Sequence, residues 1–281
     1  MGEFNYILDK IKNSDFQTNP FKFIYLEDFL SAEHFDIITN DPQVKTDNIE
    51  NTEALMKVLH EKTYKPIPFP GCTTDINAYL DWYNGKDVAK PGHAHGLIEG
   101  FGLAFRLQQI KNNTINNLLT FFNSDEFYQT LMDKFEKPVN RSQTYVETGL
   151  QKYVSGYEIS PHPDIRKKVL TYMLNINPNK DAESMGLDTD FMVFKENKQY
   201  LYDVWTNKPE EDRFWVPWDW CETVWKQNKN NSITIFAPDN DSLHAVRLNY
   251  DHCVTQRTQI YGNVWFNNSS VKRRPTWKDY A

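Results

Sequence analysis

Apolar residues are spaced differently in the two halves of this chain. In the first half Phe127, Leu131 and Phe135 recur every four residues, the spacing of one helix face. Ser124 precedes them as an N-cap, and Asp125 and Glu126 suit the positive end of the helix dipole. Pro138 closes that helix. The run from Phe21 to Leu26 reads as a strand, and Ser31 caps a helix through Ile38. Residues 50–98 carry Pro66, Pro68, Pro70, Gly71 and Pro91-Gly92, and read as long loops around short elements.

The second half is a series of short runs rich in β-branched and aromatic residues, bounded by turn chemistry: Ser142–Val154, Val169–Ile176, Asp190–Phe194, Ser232–Phe236, Leu243–Leu248 and Thr258–Phe266. Helices followed by many strands predict a mainly β fold with supporting helices, an antiparallel sandwich or barrel. No internal repeat or linker divides the chain. The expectation is one domain over 1–281, with helical support and loops in 1–140 and a β core in 141–267. From Glu196 to Asn231 stands a polar stretch holding Trp205, Trp215, Trp218, Trp220 and Trp225, far longer than the usual connection. It reads as a satellite core covering the barrel or as a lid over substrate, with one or two tryptophans facing the cavity.

Composition narrows the function classes. With 281 residues, 40% apolar and 25% charged, the chain can build one large core. A net charge of −7 argues against nucleic-acid binding, and the short Lys272-Arg273-Arg274 cluster reads as a solvated tail. Cys72, Cys221 and Cys253 are far apart and form no CxxC spacing, so neither a zinc site nor a disulfide framework is expected. Inert buried thiols in a reducing, cytoplasmic compartment are the plain inference. No apolar run approaches the ~20 residues of a membrane span. The polar N-terminus is unlike a secretory signal, and Tyr6 stands where a myristoylation signal needs Ser or Thr.

The chemistry concentrates in Tyr153-Val-Ser-Gly156-Tyr-Glu-Ile-Ser-Pro161-His162-Pro163-Asp164. In an extended strand, residues i and i+2 share a face, so His162 and Asp164 can converge on one metal ion. Pro163 cannot donate to a ladder, which puts the pair where a strand frays into a loop. A second histidine, offered by Ser242-Leu243-His244-Ala245-Val246, completes a two-His, one-carboxylate set that leaves positions open on iron(II). His34-Phe35-Asp36 has the same spacing but lies in a helical pattern, where i and i+2 diverge, and His34 reads as a surface residue.

The stretch resembles the prolyl 4-hydroxylase-like branch of the Fe(II)/2-oxoglutarate-dependent oxygenases, whose first metal-binding strand carries the same Tyr, Gly and Pro-His-x-Asp spacing. The similarity continues through Val169–Asn177, Ile233–Pro238, Ser242–Val246 and Arg257–Gly262, and more weakly at Phe21–Leu30. The resemblance implies a double-stranded β-helix (jelly-roll) core, with His162, Asp164 and His244 binding Fe(II). It implies Arg257 on the far carboxylate of the cosubstrate 2-oxoglutarate, where a guanidinium can grip with two hydrogen bonds. Tyr153 matches a cavity tyrosine that could meet cosubstrate or substrate, and Thr171 could lend a hydroxyl to the same far carboxylate. The implied reaction takes 2-oxoglutarate, O2 and an organic substrate, peptidyl, amino-acid or other, and releases succinate and CO2.

Some positions depart from the family pattern. Arg257 follows His244 at a longer interval than the family's arginine usually does. Arg247, the competing cation, should face away from His244 on the same strand. Asn175 stands where many relatives place a tyrosine. Asp164 is present, whereas halogenating relatives lose that carboxylate. Two other readings stand beside this one. His93-Ala-His95-Gly-Leu-Ile-Glu99 fits the HxH-x3-E spacing of a cupin metal site, though no second histidine motif follows soon after. A jelly-roll binding module without catalysis is the other, although here the ligand set is complete.

Overall fold

A computed structural model of the chain describes residues 2–46, 48–69, 72–88, 101–269 and 271. Pro70, Gly71, Pro91-Gly92, His93, His95, Glu99 and Lys272-Arg273-Arg274 lie outside the described residues. Side-chain caps set where most of the helices begin. After α1 (Asn5–Asn13), Ser31 accepts from the His34 amide to open α2 (Ala32–Thr39), and Asn51 accepts from Ala54 to open α3 (Thr52–Glu61). Asp75 opens α4 (Ile76–Tyr83), Asn112 opens α5 (Asn113–Phe122) and Ser124 opens α6 (Asp125–Lys134) in the same way. Residues 50–88 are thus more regular than the proline count suggests: α3, α4 and the short strand β3 (Tyr64–Pro66) replace much of the expected loop. His34 is not a surface residue. Its ring is mostly buried, facing the Tyr6 hydroxyl at 3.0 Å and Glu3 at 3.3 Å.

The strands form two antiparallel sheets. β1 (Phe16–Gln17), β2 (Phe23–Leu26), β4 (Ala104–Leu107), β5 (Thr144–Tyr153), β7 (Lys168–Asn175), β10 (Ile233–Phe236) and β12 (Arg257–Phe266) join β3 in the order β1-β2-β10-β7-β12-β5-β4-β3. The smaller sheet runs β6-β11-β8-β9, from β6 (Glu158–His162), β8 (Thr189–Phe194), β9 (Cys221–Gln227) and β11 (His244–Arg247). Pro161 is tolerated in β6 because that strand lies at a sheet edge. The Trp-rich stretch is not one loop. It folds into α7 (Tyr200–Asn207) and β9, and its Trp205 packs with Leu201, Phe214 and Val216 in a satellite core.

The larger sheet separates two environments, because alternate side chains of a strand point to opposite faces. On β12, Ile260 and Val264 join a continuous core with Leu170, Tyr172 and Leu174 of β7 and with Leu55, Leu118, Phe122, Phe127 and Leu131 from the helices. The alternate residues Arg257, Gln259, Tyr261 and Asn263 face a cavity between the two sheets. Gly262 is required on the helix side: a Cβ there would sit 2.2 Å from the Tyr172 ring. Gly262→Ala is therefore expected to destabilise the fold by about 2–3 kcal/mol, read from the urea midpoint.

Buried bases on the helix side couple stability to pH. Burial lowers His252 to about 4 and Lys152 to about 7; Lys152 Nζ donates to Thr258 Oγ1 at 2.9 Å. The folded chain then binds fewer protons than the unfolded chain between about 4 and ~6.5 at His252, and between about 7 and ~10.4 at Lys152. Unfolding takes up protons in both windows, so these groups make stability rise with pH from about 4 to ~6.5 and again from about 7 to ~10.4. Lys152→Met should flatten the slope above neutrality and raise the urea midpoint at about pH 6, where the wild-type ammonium is buried. An unchanged slope in the variant would contradict that assignment.

Candidate metal centre and cosubstrate pocket

β6 and β11 bring the two histidines face to face. His244 is the register partner of His162, and their ring centroids lie 4.3 Å apart. Asp164 reaches them by a turn and not by the strand pleat. β6 ends at His162, and Asp164 adopts φ +63°, a left-handed conformation that aspartate tolerates better than most residues. Its carboxylate lies 3.6 Å from His162 Nε2 and 3.9 Å from His244 Nε2. One ligand atom from each of the three buried side chains falls within 4.8 Å of the others, a spacing that could hold a metal ion.

The backbone selects the imidazole tautomer. His162 Nδ1 lies 2.9 Å from the Ser160 carbonyl, and His244 Nδ1 lies 3.0 Å from the Ser242 carbonyl. A carbonyl only accepts, so each Nδ1 carries the proton and each Nε2 presents its lone pair to Asp164's side of the site. Burial lowers the pKa of both rings, His244 to about 3, so both are neutral at physiological pH. Phe236 packs edge-on against His244 at 5.0 Å, and Trp215 against His162 at 6.3 Å. Trp215 is the residue of the tryptophan segment that lines this cavity; Trp218 instead lies beneath Arg247 and donates to Glu158.

Asp164 is held by residues that sequence spacing did not single out. Lys168 Nζ donates to Oδ1 at 2.6 Å and to the Tyr261 hydroxyl at 2.8 Å, and Arg213 Nε donates to the Asp164 carbonyl at 3.0 Å. Burial by itself would raise the Asp164 pKa; Lys168 and the two imidazoles overcome it and hold the carboxyl well below its usual range. Thr171 donates to Asp164 Oδ2 at 2.8 Å and lies 3.0 Å from Asn263 Oδ1. Its register partner Asn263 is six residues along β12 from Arg257, roughly 20 Å of extended strand. The Thr171 hydroxyl thus serves the Asp164 carboxylate, a different partner from the far carboxylate the resemblance implied.

Arg257 opens β12 at the other end of the cavity and is 1% exposed. Its Nε donates to the Leu187 carbonyl and its Nη2 to Thr189 Oγ1, both at 2.8 Å, and its guanidinium lies 5.0 Å above the Tyr153 ring. The Tyr153 hydroxyl turns away to Gln151 Oε1 at 2.5 Å, so the tyrosine offers Arg257 its face. No carboxylate among the described residues forms a direct ion pair with Arg257; Asp188 and Asp190 act on the buried guanidinium only from farther away. Thr189 stands two residues along β8 from Phe191, the register partner of His244, or about 7 Å along the strand. Arg247 faces outward from the same strand as His244 and pairs with Glu158 at 3.1 Å.

The cavity that contains these groups measures about 350 Å³. Ile159, Met173 and Val246 give it apolar walls, and Arg257, the candidate ligands and Arg106 supply the charge. All three cysteines are free: Cys72 and Cys221 are buried, whereas Cys253 is half-buried. Among the described residues no helix is long and apolar enough to cross a membrane.

No family model matches the sequence, and no curated protein matches it. The structure is similar to a prolyl-4-hydroxylase from Pseudomonas putida at a TM-score of 0.47 and 9% identity, over 94% of this chain and 98% of that one. It is also similar to a prolyl hydroxylase from Trichoplax adhaerens, solved with a hypoxia inducible factor oxygen degradation domain peptide fragment, at a TM-score of 0.42 and 10% identity over 93% and 89% of the two chains. A Burkholderia pseudomallei oxidoreductase of the 2OG-Fe(II) oxygenase family gives a TM-score of 0.35 and 11% identity over 83% and 98%. At these scores the similarities add no weight to what the side chains themselves offer.

Proposed function

We propose that the chain is an Fe(II)- and 2-oxoglutarate-dependent dioxygenase, a hydroxylase with a double-stranded β-helix core. The observation that carries the reading is a single cavity with two complementary demands: a buried two-His, one-carboxylate donor set, and a buried guanidinium with no direct carboxylate partner among the described residues. The donor set suits iron(II) and leaves positions open, as the facial triad of non-haem iron oxygenases does. The unpaired Arg257 suits the far carboxylate of a dicarboxylate whose other end meets the metal.

In this reading His162, Asp164 and His244 hold the iron, which supplies oxygen activation and oxidation of a C–H bond when bound. Lys168 and Thr171 keep the Asp164 carboxylate ionised and fixed in orientation, and the Ser160 and Ser242 carbonyls keep both imidazoles lone-pair forward. Arg257, stacked on Tyr153 and steadied by Thr189, orients 2-oxoglutarate. Phe236 and Trp215 keep water from the ligands. The organic substrate, peptidyl, amino-acid or another small molecule, enters the same cavity. The test is Fe(II)-dependent release of succinate from 2-oxoglutarate by the purified chain. Binding of 2-oxoglutarate without any succinate release, at any metal loading, would favour the non-catalytic jelly-roll module instead.

A further inference from the structure

Across the sheet from Arg257, a second guanidinium meets the same cavity. Arg106 of β4 lines it, and its Nη1 donates to Glu147 Oε1 at 2.6 Å. Gly149 makes the approach possible, because a Cβ there would lie 2.9 Å from both Cδ and Nε of Arg106. The side chain therefore lies flat across β5 with its head over the strand. Arg106 Nε is buried and has no hydrogen-bond partner among the described residues. Nη2, which shares that edge of the guanidinium, also makes no hydrogen bond among them. Two further buried donors lack partners in the same neighbourhood. Gln151 Nε2 belongs to Arg106's own register partner, and Trp265 Nε1 to a residue that lines the cavity.

We infer that the Nε–Nη2 edge of Arg106 is the anchor for a carboxylate of the organic substrate, and that this substrate is a small free organic acid. The inference rests on the oxygenase reading above and narrows its substrate class. A guanidinium edge offers two parallel donors at the spacing of carboxylate oxygens, and burial without a partner leaves a cost that a bound anion removes. Glu147 takes Nη1, which fixes the plane of the head and leaves the other edge for the ligand.

This anion subsite is separate from the one at Arg257. Arg257 lies over Tyr153 and Arg106 over Gly149, four residues apart on β5, or about 13 Å along the strand. A five-carbon dicarboxylate is shorter than that backbone separation. Level with Arg106 on the next strand, Tyr261, the register partner of Gly149, bonds Lys168 beside Asp164. An acid anchored on Arg106 would thus extend over Tyr261 toward the candidate metal ligands. The volume of about 350 Å³ lies near the lower end of ligand pockets, which suits two small molecules better than a folded partner.

The test is calorimetric titration of the full chain with Mn(II) and saturating 2-oxoglutarate. Free L-amino acids and short-chain monocarboxylates are added, each beside its primary amide. At least one acid is expected to bind about tenfold to a hundredfold more tightly than its amide. Arg106→Gln should erase that preference, and Arg106→Lys should restore only part of it, with melting curves confirming that both variants fold. Should the variants unfold, Glu147→Gln provides the second reading: it keeps an acceptor for Nη1 but removes the competing negative charge, so the acid preference should rise, and a fall would count against the inference. Equal binding of acid and amide by the wild type, an unchanged preference in Arg106→Gln, or binding only of peptides with blocked termini would each overturn the inference. Succinate release by wild-type protein without added acid is measured in parallel. Its absence both without acid and with Fe(II) and the preferred acid present, alongside a retained acid preference, would strike the oxygenase reading and leave the subsite standing.

Discussion

His162→Ala is expected to reduce Fe(II)-dependent succinate release to background while the chain stays folded. His162 contributes one donor of the set, its ring is held by the Ser160 carbonyl, and no charged partner depends on it for neutralisation. The variant should also lose metal binding in equilibrium dialysis. Asp164→Ala should abolish turnover as well, but with a second consequence. It strips the counter-ion from Lys168, which is buried and 2.6 Å away, and breaking a buried pair by removing one partner costs about 3–5 kcal/mol. A variant pair with equal losses of activity but unequal losses of stability is the expected signature. Retained iron binding and turnover in His162→Ala would remove the metal assignment altogether.

Arg257→Ala should weaken 2-oxoglutarate binding by about 2–5 kcal/mol, or roughly thirtyfold to several thousandfold, as expected when a buried, charge-assisted pair loses one partner. The protein is expected to melt at higher temperature with 2-oxoglutarate and metal than without, and the variant should lose most of that shift. Arg257 also holds the Leu187 carbonyl and Thr189, so its loss affects the cosubstrate-free protein too. The difference between melts with and without 2-oxoglutarate isolates the binding effect from that structural one. Arg257→Lys keeps the charge but not the fork, and should recover part of the affinity. An unchanged shift in Arg257→Ala would move the carboxylate to another cation, with Arg106 the first candidate within the cavity.

Features legible in the sequence were those whose physics is local. Ser31 and Ser124 cap helices because the side chain reaches an amide three residues on, and both helices begin where that signal stood. The six strand runs of the second half reappear as β5, β7, β8, β10, β11 and β12, because β-branched and aromatic runs bounded by turns need no distant partner to be recognised. Asn51 and Asp75 carry equally local N-cap signals for α3 and α4, in a stretch where Pro66, Pro68 and Pro70 favour loop. That His162, Asp164 and His244 come together was also legible, the first two from their spacing and His244 from the family resemblance.

Tertiary structure alone decided what surrounds those donors. The turn at Asp164, with φ +63°, places its carboxylate by a backbone conformation that the i, i+2 strand argument does not contain. Lys168 and Arg106 owe their positions to strand order in the larger sheet, where β7 lies beside β12, β12 beside β5 and β5 beside β4; Thr189 owes its position to β8 beside β11, and Arg213 to the segment between α7 and β9. The polar alternation Gln259, Tyr261, Asn263 on β12 has no meaning in sequence beyond a half-exposed strand; only the facing smaller sheet turns that face into a cavity wall. The tryptophan segment divided the same way. Its composition announced packing, but whether a ring met the site depended on contacts across the sheets, and these brought Trp215 against His162 while Trp205 went to a separate core. Hydrogen bonds and charge pairs between residues distant in the chain depend on the closed fold, because only there do low exposure and fixed distance make them strong.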